Sequence, residues 1–194
     1  EALVADLDLQ QGLEMCDMNK KNIIQCGWSQ LGGKVDAADF KRSSAGTPSE
    51  ETGPEAGRGP VILPKYTEAD QYMYLEASDI ENGQGARIKS VPMASIPYCV
   101  SFDYHMWGSG TGALTVTALE KTQSQVLDIQ TTTEGEEGDE SDQNNDKATP
   151  RELIMLSGDK GNLWNNLRLN YRPTNDSFQV AFDIYATRGS NYKS

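Results

Sequence analysis

Apolar residues recur along this chain at every second position in short bursts, separated by stretches rich in Gly, Pro, Ser and Asn. The clearest burst is Tyr98-Cys99-Val100-Ser101-Phe102-Asp103-Tyr104-His105-Met106-Trp107. Successive side chains of a strand point to opposite faces, so Val100, Phe102, Tyr104 and Met106 share one face and Cys99, Ser101, Asp103 and His105 the other. Gln71 to Ala77 alternates in the same way, with Tyr72, Tyr74 and Glu76 opposite Met73, Leu75 and Ala77. Asn82-Gly83 is a turn signal, and Ala86 to Val91 is a further strand that Pro92 ends. Ala113 to Leu119 follows the Gly-rich run Gly108 to Gly112, which predicts a hairpin with the Tyr98–Trp107 strand. Gln25 to Gln30 and Phe40 to Arg42 read as short strands, and order resumes at Glu152 to Leu156. Trp164 to Leu169 and Ser177 to Ala186 add two more, the latter with Phe178, Val180, Phe182 and Ile184 on one continuous apolar face. Residues 1–15 mix Leu3, Val4, Leu7, Leu9 and Leu13 with acids, and leave an edge strand and a short helical lead-in both open. With no convincing amphipathic helix, the pattern predicts an all-β chain folded as an antiparallel sandwich or jelly roll.

Composition then limits the functions such a fold could serve. The 194 residues suit one domain with long loops around a sizeable core. Acidic residues outnumber basic ones 29 to 17, for a net charge of -12. That excess repels phosphate backbones and anionic membrane surfaces, so neither nucleic acid nor a lipid surface is an expected partner. No apolar run approaches the roughly 18 residues of a membrane span. Ser43 to Gly59, with Pro48 and Pro54, reads as loop. Residues 131–148 carry Glu134, Glu136, Glu137, Asp139, Glu140, Asp142 and Asp146 with almost no apolar residue. Such a stretch buries too little surface to offset its ordering entropy and reads as a mobile acidic loop inserted in the domain.

Candidate chemistry is sparse. His105 is the only histidine and lies six residues along one strand from Cys99, about 20 Å away, too far for a Cys–His pair. Gly108 to Gly112 lacks the Lys and the following helix of a phosphate loop, and the acidic run lacks EF-hand spacing. No catalytic residue and no metal site is therefore expected. Asn175-Asp176-Ser177 is a glycosylation sequon placed just before a strand. The three cysteines, Cys16, Cys26 and Cys99, have no zinc spacing. They leave buried free thiols and a short disulfide with one thiol left over as open readings. Glu1-Ala2-Leu3-Val4-Ala5-Asp6 is too acidic for a signal peptide and suits a chain from which one has been cleaved.

The order of several short pieces resembles a known family. Cys16-Asp17-Met18, Cys26-Gly27-Trp28-Ser29-Gln30, Asp39-Phe40-Lys41-Arg42, Gly46-Thr47-Pro48-Ser49 and Thr52-Gly53-Pro54 follow one another as in MAM domains. Tyr72 to Ser78, Gly85 to Ser90, Cys99 to Gly108, Gly112 to Val116, Trp164 and Phe178 to Phe182 continue the series over nearly the whole chain. The resemblance implies one extracellular β-sandwich of jelly-roll type over residues 1–194, without catalytic residues, working by adhesion, homophilic contact or oligomerisation as in meprins, neuropilins and receptor tyrosine phosphatases. It implies a Cys16–Cys26 disulfide. It also implies a partner for Cys99 on a final strand beyond Ser194. Asn175 becomes a glycan acceptor in that compartment. No cofactor is implied. Calcium, which some members bind through acids, stays open, because Asn19 stands in place of the usual Glu and no Asp-His-Thr follows Pro54. Two other readings stand beside protein recognition: a glycan-binding module using Trp28, Trp107 and Trp164, and an accessory domain of a secreted metalloprotease. Closing the ten-residue step from Cys16 to Cys26 should contribute roughly 2–3 kcal/mol. Non-reducing peptide mapping should recover the two as one linked species; two free thiols would refute the bridge.

Overall fold

The computed structural model describes residues 2–10, 27–31, 37–44, 46–49, 52–54, 71–122 and 148–190, the first of these as backbone only. Eleven strands lie in this span: β1 (Ala2–Gln10), β2 (Trp28–Gln30), β3 (Phe40–Ser43), β4 (Tyr72–Leu75), β5 (Gly85–Ser90), β6 (Met93–Ala94), β7 (Tyr98–Met106), β8 (Thr111–Thr122), β9 (Thr149–Ser157), β10 (Asn165–Tyr171) and β11 (Ser177–Arg188). All pairings are antiparallel. One sheet has the order β10-β7-β1-β4-β3, and the other β2-β5-β11-β8-β9 with β6 also on β11. This is the expected all-β sandwich, consistent with a jelly roll.

The alternation read from sequence places the core. Val100 and Phe102 of β7 and Met73 and Leu75 of β4 are buried on the inner face of the first sheet. Leu114, Val116 and Ala118 of β8 and Val180, Phe182 and Ile184 of β11 are completely buried on the inner face of the second. Tyr98, Tyr171 and Phe182 meet near one end, with Tyr171 and Phe182 edge to face at 5.2 Å between centroids, a geometry that ring quadrupoles favour. At the opposite margin Gln30 of β2 reaches to β3: its amide donates to the Phe40 carbonyl (3.0 Å) and its oxygen accepts the Phe40 N–H (2.5 Å). One side chain thus closes the ladder groups that an edge strand would leave open.

Three expectations need correction. β7 and β8 are not a hairpin, because they belong to different sheets. Both strands carry a strong apolar face, and both faces can be buried at once only if the chain crosses the core between them; the Gly108 turn, with φ of 111°, makes that crossing. Phe178 does not continue the apolar face of β11. A register shift between Ser177 and Gln179 turns it out, and it is 45% exposed. β1, for which an edge strand and a helix were both open, is a strand in the middle of its sheet, between β7 and β4.

Pro92 interrupts what would otherwise be one long strand alongside β11, dividing it into β5 and β6. The lost ladder bond is replaced: the Phe182 N–H donates to the buried Ser90 Oγ (2.9 Å), and the Val91 N–H turns away to the Gly27 carbonyl (2.7 Å). Near the other end of β11 a Cβ on Gly85 would lie 1.7 Å from the Ala186 oxygen, so no side chain fits there.

A buried carboxylate fastens the two sheets at one end. Glu120, on β8, is 4% exposed. It accepts hydrogen bonds from Tyr171 Oη (2.9 Å), Thr174 Oγ1 (2.6 Å) and Arg151 Nη2 (2.8 Å). Arg151 lies over the Tyr171 ring at 5.0 Å and donates to the Arg172 carbonyl (2.6 Å). The knot joins β8 and β9 of one sheet to β10 of the other, and every bond is to a charged acceptor or from a charged donor. Burial, followed by the neighbouring carboxylate, pushes the Tyr171 phenol above its usual range. Glu120→Ala should cost about 3 kcal/mol in equilibrium urea unfolding, because Tyr171, Thr174 and Arg151 lose their acceptor together. A cost under about 1 kcal/mol would show that the knot is not needed for stability.

Candidate functional site

The residues singled out in the sequence lie in different parts of the sandwich. Cys16 and Cys26 lie outside the described residues, as does the acidic run apart from Ala148. Cys99 is half-buried on the outward face of β7 and has no disulfide among the described residues. Its strand is not an open edge: Cys99 stands opposite Gln10 of β1 on one side and Asn170 of β10 on the other. Asn175 is exposed in the turn between β10 and β11. That turn is held from both sides, by Thr174 on Glu120 and by Ser177 Oγ, which is 2.7 Å from Ser95 Oγ. The sequon asparagine is therefore exposed on an anchored turn.

His105 sits beside the core, as its strand position suggests, yet on the outer face of its sheet. It is 1% exposed. Trp164, just before β10, folds over that face and covers it, with ring centroids 5.5 Å from His105 and 5.7 Å from Tyr72. Tyr74 completes this second, smaller apolar cluster, which explains why all four residues of β4 are buried although their pattern alternates. His105 Nε2–H donates to Asn162 Oδ1 (3.1 Å), which leaves Nδ1 as the site for an added proton. Nδ1 is buried with no hydrogen-bond partner among the described residues.

The tryptophans do not form a platform. Trp28 is part of the main core, Trp164 is committed to Tyr72 and His105, and Trp107 is half-buried. No group of three or more His, Cys, Asp or Glu side chains able to hold a metal occurs among the described residues.

A concavity that sequence reading did not point to lies on the outer face of the second sheet. A groove of about 370 Å³ crosses β5, β11, β8 and the start of β9. Register fixes its layout. Lys89, Asp183 and Thr117 form one outward row across three strands. Ala181, Leu119 and Pro150 form the next, and Gln179 and Lys121 the one after. The middle row is low because Ala181 has almost no side chain, and Pro92 and Pro150 stand at its two ends. Arg87 Nε is 3.4 Å from Asp183 Oδ2, and its guanidinium lies 4.6 Å from the centre of the Tyr185 ring. Among the titratable groups lining the groove, Arg87, Lys89 and Lys121 are cationic and Asp183 is anionic. The signal available in sequence was the outward positions of three alternating strands, but their neighbours could not be known without the sheet order.

Burial pushes the His105 imidazole below its usual pKa of 6.5, against the weaker opposing effect of the Asn162 hydrogen bond. Well above pH 6.5 the ring is neutral in the folded and the unfolded chain alike. As pH falls below 6.5 the unfolded chain takes up a proton that the native chain refuses, so stability is lost, at up to about 1.4 kcal/mol per pH unit. Since the chain has one histidine, urea unfolding between pH 7.5 and 5.5 should show this slope in the native sequence and not in His105→Gln. Equal slopes would disprove it.

The comparisons with known proteins agree with the fold. The family model described as "MAM domain, meprin/A5/mu" matches residues 16–193. MAM domain-containing protein 2 of Mus musculus is 35% identical over 94 residues, 47% of this chain and 12% of that protein. MAM domain-containing glycosylphosphatidylinositol anchor protein 1 of Gallus gallus is 28% identical over 172 residues, 87% of this chain and 15% of that protein. Thyroid hormone-induced protein B of Xenopus laevis is 34% identical over 79 residues, 40% of this chain and 10% of that protein. The chain thus spans less than a sixth of the length of these relatives. A sandwich of two antiparallel sheets, and a family match running through both of them, establish that the chain belongs to the MAM domain family.

Proposed function

We propose that this chain is a non-catalytic extracellular recognition domain that works by protein–protein contact within a larger secreted or membrane-anchored protein. The observation that carries this reading is the family match over residues 16–193, since the MAM family is typically extracellular and adhesion-related. The name of one relative, MAM domain-containing glycosylphosphatidylinositol anchor protein 1, puts that protein at a cell surface and supports the same compartment here. In that compartment Cys16 and Cys26 pair, Cys99 takes a partner outside the described residues, and Asn175 carries a glycan. Homophilic contact is the first form of the function to test.

The glycan-binding alternative loses its main support in the structure. An aromatic platform needs exposed ring faces, and Trp28 and Trp164 are packed against other side chains. The described residues offer no motif that favours a role beside a metalloprotease over adhesion.

Fluorescent beads coated with the purified chain should cluster with one another, or bind to cells saturably. Cell binding should disappear after the cells are treated with protease and persist after glycosidase treatment. The reverse pattern would establish the glycan reading, and neither clustering nor cell binding would refute recognition by this domain.

A further inference from the structure

We propose that the β9–β10 loop, residues 158–164, is an acid-released latch on the outer face of the first sheet, with His105 as its sensor and the Tyr72–Tyr74 cluster as the surface it uncovers. The inference stands apart from the recognition reading and does not rest on it. The first support is the way the imidazole is enclosed. His105 is 1% exposed, the Trp164 ring lies 5.5 Å from it, and Nε2 is committed to Asn162 of the loop (3.1 Å). A second proton has to go to Nδ1, which is buried with no hydrogen-bond partner among the described residues. A buried cation with an unsatisfied donor is costly, so the protonated ring is driven toward water.

The second support is that this cover can move without undoing the sheet. Ladder pairing of β10 begins at Asn165, opposite Tyr104, so Asn162, Leu163 and Trp164 precede it. The loop is fastened to β7 by the Lys160 N–H on the Met106 carbonyl (2.6 Å) and by Asn162 on His105. Within the loop the Gly161 N–H donates to Asp159 Oδ1 (2.7 Å) and the Leu163 N–H to the Gly161 carbonyl (2.9 Å), bonds that travel with it. Gly158 and Gly161, with φ of 70° and 84°, are its points of greatest backbone freedom. Leu163 is exposed, so the packing of Trp164 on His105 and Tyr72 is what closes the latch. Lifting Trp164 uncovers Tyr72 and Tyr74, which are buried beneath it.

The third support is electrostatic. Asp159 of the loop favours a proton on His105, and the amino terminus disfavours it. Lys160, also in the loop, is exposed. Asp103 lies two positions along the same face of β7, with its Oδ1 accepting from Asn166 Nδ2 of β10 (2.7 Å). β1 sets Leu3 opposite His105 and Ala5 opposite Asp103, neither of them titratable. β4 contributes the phenols of Tyr72 and Tyr74. Burial outweighs the attraction of Asp159 and holds the imidazole below its ordinary pKa. The closed form therefore excludes the proton, and the open form, with its ring in water, accepts it. The opening equilibrium rises as pH falls below 6.5, by up to about tenfold between pH 7.5 and 5.5.

The test is nitrogen-15 NMR hydrogen exchange on the full chain, with each rate corrected for the intrinsic pH dependence of exchange. The Lys160 amide and the Trp164 indole N–H report the latch, and the amides of Val116 and Ile184 report the core. Protection at both latch groups should fall in parallel, by up to about tenfold from pH 7.5 to 5.5. Low concentrations of urea should change it little, because a local opening exposes little surface, while Val116 and Ile184 respond strongly. In His105→Gln, which keeps the amino terminus that also titrates in this range, the fall should vanish. In Trp164→Ala, which leaves the imidazole uncovered, the histidine ring signals should titrate near pH 6.5, above their midpoint in the native sequence. Retained amide dispersion will show that each variant is folded, and the native profile decides alone where one is not. Protection at Lys160 that is independent of pH would overturn the proposal, as would an indole that stays protected while Lys160 opens. Equal protection and urea response at Lys160 and Val116 would mean global unfolding and overturn it too. An unchanged pH response in His105→Gln, or an unmoved histidine midpoint in Trp164→Ala, would do the same. Bead clustering and cell binding at pH 7.5 bear on the recognition reading alone, and their loss leaves the latch in place.

Discussion

A single slab of apolar side chains between two sheets is the constraint on which the rest of this molecule depends. β7 and β4 supply Val100, Phe102, Met73 and Leu75 from one side, and β8 and β11 supply Leu114, Val116, Phe182 and Ile184 from the other. Interiors of this kind are close-packed, so each strand has one permitted facing, and every second residue is released to the outside. The outward residues are then free to specialise. On the first sheet they become a covered aromatic patch around His105 and Trp164; on the second they form an open groove with cations along it.

Much of this was legible in the sequence where the argument was local. The faces of β7 were read correctly because Val100 and Phe102 alternate with Ser101 and Asp103, and the two sets end on opposite sides. The end of β5 was legible because Pro92 lacks the N–H that a ladder needs. Errors arose where the outcome depended on distant partners. Period-two alternation states which side chains share a face, not which strand lies next, so β7 and β8 could not be distinguished from a hairpin. Phe178 was misplaced because a one-residue register shift exchanges faces without any mark in composition. The burial of Tyr72 and Tyr74 required Trp164, which approaches from about ninety positions later in the chain.

The candidate site divides along the same line. Asn175 was recognised from three consecutive letters, and its exposed turn suits what those letters suggest. The groove had no such signature. Lys89, Lys121 and Ala181 come from three strands, and they become neighbours only when β11 lies between β5 and β8. Glu120 was unremarkable as one acid among 29, and its importance lies in the three donors that converge on it.

The sheet order has a consequence for the time at which structure can form. β11 is the strand that joins the β2–β5 pair to the β8–β9 pair, and it is made after all of them. During synthesis the second sheet can exist only as two separate pieces until residues 177–188 have left the ribosome, with the apolar faces of β5 and β8 uncovered. β1 plays the mirror role in the first sheet: it emerges first and waits for β4 and then β7. Pairings of such long sequence separation are slow to close and leave partly folded chains open to association. A second sheet that is joined only when β11 arrives therefore keeps the apolar faces of β5 and β8 uncovered until residues 177–188 are made.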